Sequence, residues 1–433
     1  MSKVRIGDLF EVEKGSLQSS KCTEGEFDFI TASKEWKTHN DFSHDIEALI
    51  FAAMASGSLG RTHYVNGKFI TSDLCYILTP KNSEKYPIDL KFYHFVFNSL
   101  KDEIVKNTKS GTSKKAINQT NLKNYEIPYF DIEQQHLWIE KLLKTKSIKE
   151  KLTVEIDTQQ TLLKKLRQKI LQDAIEGKLT TSWREQNSDV KSASVLLEKI
   201  KAEKEQLIKD KKIKKEKSLP PINEDDIPFD IPDSWKWSKI NELIKDLQYG
   251  TSKKCSYTQN MESPILRIPN VSSGYIDIND FKYTKLTDKE KEQYSLEIDD
   301  LLVVRSNGSR ELVGKSVLVS RQLTNYGYAG YLIRLRFFNK NLNAPYIQCF
   351  FNSPYIREQI ETPLRTTVGI NNINSTELSN LIIPIPPLEE QKEIVKKIES
   401  LFKVCDALEE QINSSQKNSQ ILMQSVLKEA FEK

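Results

Sequence analysis

Gly308-Ser-Arg-Glu-Leu-Val-Gly314-Lys315-Ser316 is the stretch of this chain that comes nearest to a phosphate-binding loop. Such a loop needs GxxxxGK[ST], with backbone amides wrapped round the phosphates and a helix opening after the lysine. Here one residue too many separates the glycines, and strand-like runs flank the segment on both sides, so nucleotide binding is not expected. Other chemistry is equally hard to assemble. His39, His44, His63, His94 and His136 show no metal-ligand spacing, and Cys22, Cys75, Cys255, Cys349 and Cys405 form no CxxC pair. Neither a GxGxxG turn nor the Asn/Asp-Pro-Pro-aromatic tetrapeptide of adenine methyltransferases occurs. The scattered cysteines, the absence of a long apolar run and the polar amino terminus point to a reducing, cytoplasmic setting. We expect no catalysis by this chain alone and no metal. The net charge of +4 leans toward polyanions without deciding for them.

The elements that would position any site are duplicated. Ile117 to Gly177 aligns with Ile373 to Lys433 at a constant offset and without a gap. Ile117-Asn118 matches Ile373-Asn374, Ile127-Pro128 matches Ile383-Pro384, and Glu133-x-Gln135 matches Glu389-x-Gln391. Each copy opens on a strand-like run ending in Ile-Pro, where proline stops any helix. A helix of roughly 45 residues follows, on the order of 65 Å long. Leu152, Ile156, Leu163, Leu166 and Ile170 recur at coiled-coil intervals in the first copy; Leu408, Ile412, Leu422 and Val426 do so in the second. Neither helix can bury such a seam alone, so the two are expected to pack on each other, antiparallel, about an internal two-fold pseudosymmetry.

The fold expected is α+β: two mixed α/β recognition domains separated by a pair of long antiparallel coiled-coil helices. The boundaries read are 1–130 for the first domain, 131–218 for the central helix and linker, 219–386 for the second domain and 387–433 for the C-terminal helix. The linker carries a helical pattern from Ser194 to Ile208 and a basic cluster, Lys211-Lys-Ile-Lys-Lys-Glu-Lys217, read as a solvated face. Strands are expected at Asp45–Met54, with a turn marked by Gly57, Gly60 and Gly67, and at Asp300–Arg305, Gly314–Ser320 and Tyr331–Phe337. The two domains differ strongly in sequence while their flanks agree.

These features resemble the specificity subunits of type I restriction-modification systems. The resemblance rests on Ile385-Pro-Pro-Leu-Glu-Glu-Gln-Lys-Glu-Ile394 and its weaker twin Tyr129–Trp138, on Ala174-Ile-Glu-Gly-Lys-Leu-Thr180 followed by Trp183-Arg184, and on Asp226–Trp237. Val304-Arg-Ser-Asn-Gly308 with Leu312–Ser316, and Ser56-Gly-Ser-Leu-Gly60 with Gly67-Lys-Phe69, resemble two types of target-recognition domain. It implies a non-catalytic subunit that reads a bipartite, asymmetric site on double-stranded DNA. It implies docking of two methyltransferase subunits, which would carry S-adenosylmethionine, and of restriction/translocase subunits; this chain would bind no cofactor and no membrane. The reading that competes is a helical adaptor without sequence-specific DNA readout.

Base readout wants Arg, Lys, Asn or Gln on loops, with further cations on phosphates. The candidates are Lys34, Lys37, Arg61, Lys68, Lys114 and Lys115 in the first domain, and Lys253, Lys254, Arg267, Arg305, Asn307, Arg310 and Arg365 in the second. Tyr249-Gly250-Thr251-Ser252 and Gly111-Thr-Ser-Lys114 are candidate sources of backbone amides for phosphates. The repeated seam also predicts a length effect. One heptad added in register to both helices should lengthen the unread spacer by about three base pairs, about 10 Å of helix against about 3.4 Å per pair. Mapping the modified DNA motif checks this; an unchanged spacer would contradict it.

Overall fold

The computed structural model describes residues 2–54, 57–110, 116–214, 219–258, 263–323, 325–338, 341–361, 365–367 and 370–431. It is a mixed α/β chain that folds as two compact units, 1–158 with 412–433, and 159–411.

The first unit is built on a six-stranded sheet, ordered Phe10–Lys14, Cys75–Pro80, His44–Ala52, Thr62–Thr71, Phe27–Ile30, Lys37–His39. Its neighbours pair antiparallel except Phe27–Ile30, which runs parallel to Thr62–Thr71. His44–Ala52 is apolar without alternation from Ala48 onward because both faces of this central strand are covered. Leu49 and Phe51 pack into a core with Phe10, Phe92 and Phe97, while Ala48, Ile50 and Ala52 meet Val65, Phe69 and Ile77 on the other face. Gly67 lies inside the strand Thr62–Thr71 rather than in a turn, at φ 120°.

The second unit carries a four-stranded antiparallel sheet, ordered Ile244–Tyr249, Leu332–Phe337, Leu301–Val304, Ser316–Leu318. The three strands expected from sequence are thus neighbours in one sheet. A second layer pairs Ser263–Leu266 with Lys282–Thr284 and Gly327–Tyr328, and a third pairs Ser306–Asn307 with Ile370–Asn372. In the linker, Ala193–Lys209 is a helix capped by Ser192, and the backbone N–H of Ala193 donates to Ser234 O at 2.9 Å. Lys215, Glu216 and Lys217 of the basic cluster lie outside the described residues.

Each Ile-Pro segment forms a short strand at the root of its unit: Glu126–Tyr129 pairs with Ser2–Arg5, and Ile382–Ile385 with Lys236–Lys239. Proline is tolerated because these are two-stranded ribbons with a free side. The Glu-x-Gln signature then acquires a mechanical meaning. Gln135 donates to Pro87 O (2.9 Å) and Phe130 O (2.8 Å) and accepts from the Asp89 N–H (2.8 Å). Gln391 donates to Pro386 O (2.9 Å) and accepts from the Asn343 N–H (2.8 Å). Asp89 and Asn343 are themselves the N-caps of helices Leu90–Ser99 and Ala344–Phe351, so each glutamine ties a long helix to the helix before it. Tyr346 adds a bond to Pro384 O at 2.6 Å; Tyr93 takes the same part toward Pro128 O at a looser 3.5 Å.

The second unit has a further clamp. Glu390, fully buried, accepts from Arg184 Nη1 (2.6 Å), Thr180 Oγ1 (2.7 Å) and Trp235 Nε1 (2.8 Å). One carboxylate thereby fastens the end of the first helix and the entry to the second unit's sheets to the start of the C-terminal helix.

The long helices span Ile132–Ile175 and Leu388–Phe431, 44 residues each. Leu142, Ile156, Leu163 and Ile170 are buried at heptad spacing, and so are Ile398, Cys405, Ile412 and Ser419. Leu152, Leu422 and Val426 are half-buried. Leu166 and Leu408, expected in the seam, are 44% and 40% exposed. Near the middle of each helix, around Ile156–Leu163 and Cys405–Ile412, the buried stripe narrows to one residue per heptad, so positions three residues further round fall on its rim there.

Thiol reactivity follows from burial. Desolvation pushes the Cys75 and Cys349 thiols up to about 12, and Cys405 is buried. In a thiol titration of the native protein at neutral pH, the partly exposed Cys22 and Cys255 should react first, Cys349, half-buried with its thiol pushed up, more slowly, and Cys75 and Cys405 only on unfolding. Rapid labelling of Cys75 in the native protein would contradict this.

Candidate nucleic-acid interface

Lys253, Lys254, Arg267, Arg305 and Asn307 all line one cleft of about 1000 Å³ in the second unit. Strand ends from two sheets explain the gathering. Arg305 follows the buried strand Leu301–Val304, Arg267 follows Ser263–Leu266, and the lysines follow Ile244–Tyr249, so each side chain leaves a strand at the same rim. Ser252, Ser272, Lys282, Ser306, Tyr331 and Asn372 add polar and cationic groups to a lining whose floor includes Ile268, Pro269, Leu312 and Ala329. A second cavity of about 610 Å³ in this unit is lined by Asp225, Asp226, Glu358 and Glu377, the wrong sign for phosphate.

The cations differ in how far the protein has already used them. Lys253 bonds Glu290 Oε2 at 2.6 Å and Lys285 O at 3.1 Å, and its ammonium leads the groups that hold the Glu290 carboxyl down at about 2. Arg267 meets Asp280 Oδ2 at 2.9 Å. Its guanidinium and the Lys282 ammonium share the face of Tyr257, 65% exposed, at 5.7 and 4.9 Å from the ring centroid. Arg305 stacks on Tyr249 at 4.9 Å and donates from Nη1 to Gly330 O at 3.4 Å. Asn307 Oδ1 accepts from the Ser309 N–H at 2.7 Å, shaping the loop after its strand. Arg310 stands outside the cleft against Glu361, and the Arg365 side chain lies outside the described residues.

The Tyr249–Ser252 turn does not present amides to a ligand as expected. The N–H of Gly250 donates to Leu332 O (3.2 Å) and that of Thr251 to Tyr328 O (2.8 Å), so both are consumed by strand pairing. Gly250 is required by close approach, since a Cβ there would lie 2.3 Å from Tyr328 O. Gly111-Thr-Ser-Lys114, and with it Lys114 and Lys115, falls outside the described residues.

In the first unit Lys34 and Lys37 are exposed on the segment leading into the strand Lys37–His39. Arg61 serves the fold: its Nη1 donates to Ala32 O (3.0 Å) and Ser58 Oγ (3.1 Å). Lys68 rests its ammonium 4.9 Å from the Phe42 ring and 5.9 Å from that of Phe27. Between the two exposed lysines stands Trp36, half open to solvent, which donates from Nε1 to His63 Nδ1 at 3.2 Å. Burial holds the His63 imidazole below the usual histidine range, outweighing the Ser33 carbonyl, so the ring is neutral and accepts. Sequence reading missed Trp36, Lys282, Tyr257 and Tyr331, and it took Tyr249 only as part of a turn, not for its ring. An aromatic lying within a few residues of a loop cation, as Tyr257 does of Lys254, was the available signal.

The family description "Type I restriction modification DNA specificity domain" matches residues 1–159 and again 232–416. The chain belongs to this family. It is similar to the type I restriction enzyme EcoKI specificity subunit of Escherichia coli K12, 28% identical over 390 residues, 88% of this chain and 74% of that one. The StySPI specificity subunit of Salmonella potsdam is 27% identical over 387 residues, 88% of this chain and 73% of its own. Among solved structures, a chain from a study of complex assembly and conformational transition of the type I restriction-modification system shares the fold. Its TM-score is 0.60 at 16% identity, covering 99% of this chain and 97% of that one. No described helix is long and apolar enough to cross a membrane.

Proposed function

We propose that this chain is the DNA-sequence-specificity subunit of a cytoplasmic type I restriction-modification complex, each unit reading one half of a split site. The observation that carries the reading is the cleft of the second unit. It collects five side chains chosen for DNA contact from the ends of four strands, in a chain whose family is one of DNA specificity domains. Its cations supply phosphate contacts and its Arg, Asn and Ser side chains supply edges for bases.

The long helices form an antiparallel pair on this reading. Within the second unit Arg167 bonds Asp406 (2.7 Å) and Glu409 (3.0 Å), Lys397 bonds Leu179 O, and Arg184 bonds Glu390, so partner numbers fall as the chain runs along and out of the first helix. Within the first unit Lys141 bonds Glu429 at 2.9 Å. Leu401, Val404 and Leu408 leave an exposed apolar stripe on the second helix, a surface for methyltransferase subunits. Those partners carry S-adenosylmethionine and perform the chemistry, restriction/translocase subunits join for cleavage, and this chain supplies selection alone.

The test is co-expression of this chain with the methyltransferase encoded beside it in a methylation-free host, followed by long-read mapping of N6-methyladenine. A split motif with a fixed gap, lost when this chain is omitted, supports the reading. A stable complex that neither methylates nor binds DNA in a salt-dependent manner would replace it with the adaptor.

A further inference from the structure

We propose that the first unit reads its half-site on the surface that corresponds to the second unit's cleft, and that Arg61 is the specificity-determining residue there, with Trp36 beside it. The proposal rests on the DNA-reading function above.

The two units differ in sequence, yet their main chains bond alike around this place. The N–H groups of Gly15 and Ser16 donate to Cys75 O and Thr71 O; those of Gly250 and Thr251 donate to Leu332 O and Tyr328 O. Ser72 donates to Ile30 O as Ala329 does to Leu266 O, and Ala53 to Leu74 O as Arg305 does to Tyr331 O. The N–H of Ala52 donates to Arg61 O and that of Gly60 to Ala52 O; Val304 and Gly314 repeat this with Lys315 O and Val304 O. Both glycines take positive φ, 79° and 87°. In the same loops Arg61 donates to Ser58 O and Lys315 to Leu312 O. The neighbouring strands agree as well: Phe29 pairs with Lys37, and Ile265 with Lys282.

This register sets Thr31, Ala32, Lys37, Ala53 and Ser58 at the places of Arg267, Ile268, Lys282, Arg305 and Leu312, all of which line the second unit's cleft. Both arginines are thus replaced by uncharged residues. A guanidinium returns from another strand. Arg61 Nη1 donates to Ala32 O (3.0 Å) and Ser58 Oγ (3.1 Å), which puts its head between two walls of the corresponding surface. Lys315, at the place of Arg61 in the second unit, is exposed and does not line the cleft.

Arg61 is also unspent. The first unit has two arginines, and the other, Arg5, bonds Asp8 at 2.9 Å. Arg61 has no ion pair among the described residues, and the fold uses only its Nη1. Its Nε and Nη2 stay open to solvent, whereas the Nε atoms of Arg267 and Arg305 are sealed. An anchored guanidinium with its Nε–Nη2 edge free presents two donors in fixed geometry, as a base edge requires and a phosphate does not. Trp36, the one exposed tryptophan among the described residues, stands directly before Lys37 with its edge fixed by the bond to His63. Its open face suits an apolar contact such as a thymine methyl, and the exposed Lys34 and Lys37 suit the flanking phosphates.

The experiment uses the full complex with its methyltransferase, comparing motif maps and affinities for oligonucleotides with both half-sites intact or either one scrambled. Arg61→Gln and Arg61→Lys should each lower discrimination at one half-site by on the order of 10- to 100-fold and leave the other intact. Trp36→Ala should relax the same half-site. Lys37→Ala should weaken binding on every sequence alike and reduce the salt slope by about 1. Unchanged discrimination at both half-sites in the Arg61 variants would overturn the proposal, as would equal weakening on all sequences. Where the Arg61 variants melt early through loss of the Nη1 bonds, Trp36→Ala decides, because it leaves those bonds in place: two wild-type half-sites in that variant would also overturn the proposal. A wild-type complex with no split motif would instead remove the DNA-reading function on which the proposal stands.

Discussion

Arg184→Ala is expected to destabilise the second unit by about 3–5 kcal/mol, the cost of stripping a buried carboxylate of its counter-charge. Glu390 has no solvent to fall back on, and its remaining donors, Thr180 Oγ1 and Trp235 Nε1, are neutral. The comparison that isolates the effect is Arg184→Ala with Glu390→Gln. A neutral amide needs no counter-charge, so the double variant should be more stable than Arg184→Ala alone despite carrying one more change. Urea denaturation followed by tryptophan fluorescence measures both, since Trp235 belongs to the clamp. A loss below about 0.5 kcal/mol for Arg184→Ala would place this pair among surface ion pairs of little consequence. Arg184 also lies against the Trp235 ring at 5.9 Å, so part of the loss will be packing rather than charge.

Gln391→Leu should cost about 2–5 kcal/mol, because the Asn343 N–H and the Pro386 carbonyl lose their partners in a site leucine fills without replacing them. Gln135→Leu should do the same in the first unit, where three backbone groups are orphaned. Hydrogen exchange distinguishes the two. Faster exchange is expected around Asn343 and the start of helix Ala344–Phe351 in the first variant, and around Asp89 and helix Leu90–Ser99 in the second. Uniform acceleration across the whole chain would mean the glutamines act as general core rather than as local ties.

The elements most legible in the sequence were those with strict period or punctuation. The gapless repeat placed two long helices and the Ile-Pro strands before them, because proline and heptad spacing act locally. Two cations of the second unit were legible for a related reason: Arg267 and Arg305 each follow an apolar strand, and strand ends from two sheets meet at a common rim. What stayed hidden was long-range. The Arg184–Glu390 pair joins residues 206 positions apart, and nothing in either neighbourhood names the other. The stacking of Arg305 on Tyr249 depends on sheet order, which spacing does not encode. Leu166 and Leu408 were assigned to the seam because leucine at that interval has two explanations, inner stripe or partner-facing rim. The amides of Gly250 and Thr251 looked available because the strand bonds that occupy them come from residues about 80 positions downstream.

The ties made by Gln135 and Gln391 touch main chain on both sides. Each glutamine grips carbonyls and N–H groups at the start of a helix and, apart from the Asp and Asn caps, asks nothing of the side chains there. A fastening that senses only backbone is indifferent to the identity of what it fastens. Any recognition body that ends in an Ile-Pro strand and offers a capped helix at the right place would seat on the same helix start. The two halves of this chain, nearly unrelated in their readers and alike in their roots, are thus built as interchangeable parts, and exchanging one reader by recombination would create a new hybrid target in a single event without re-engineering the frame.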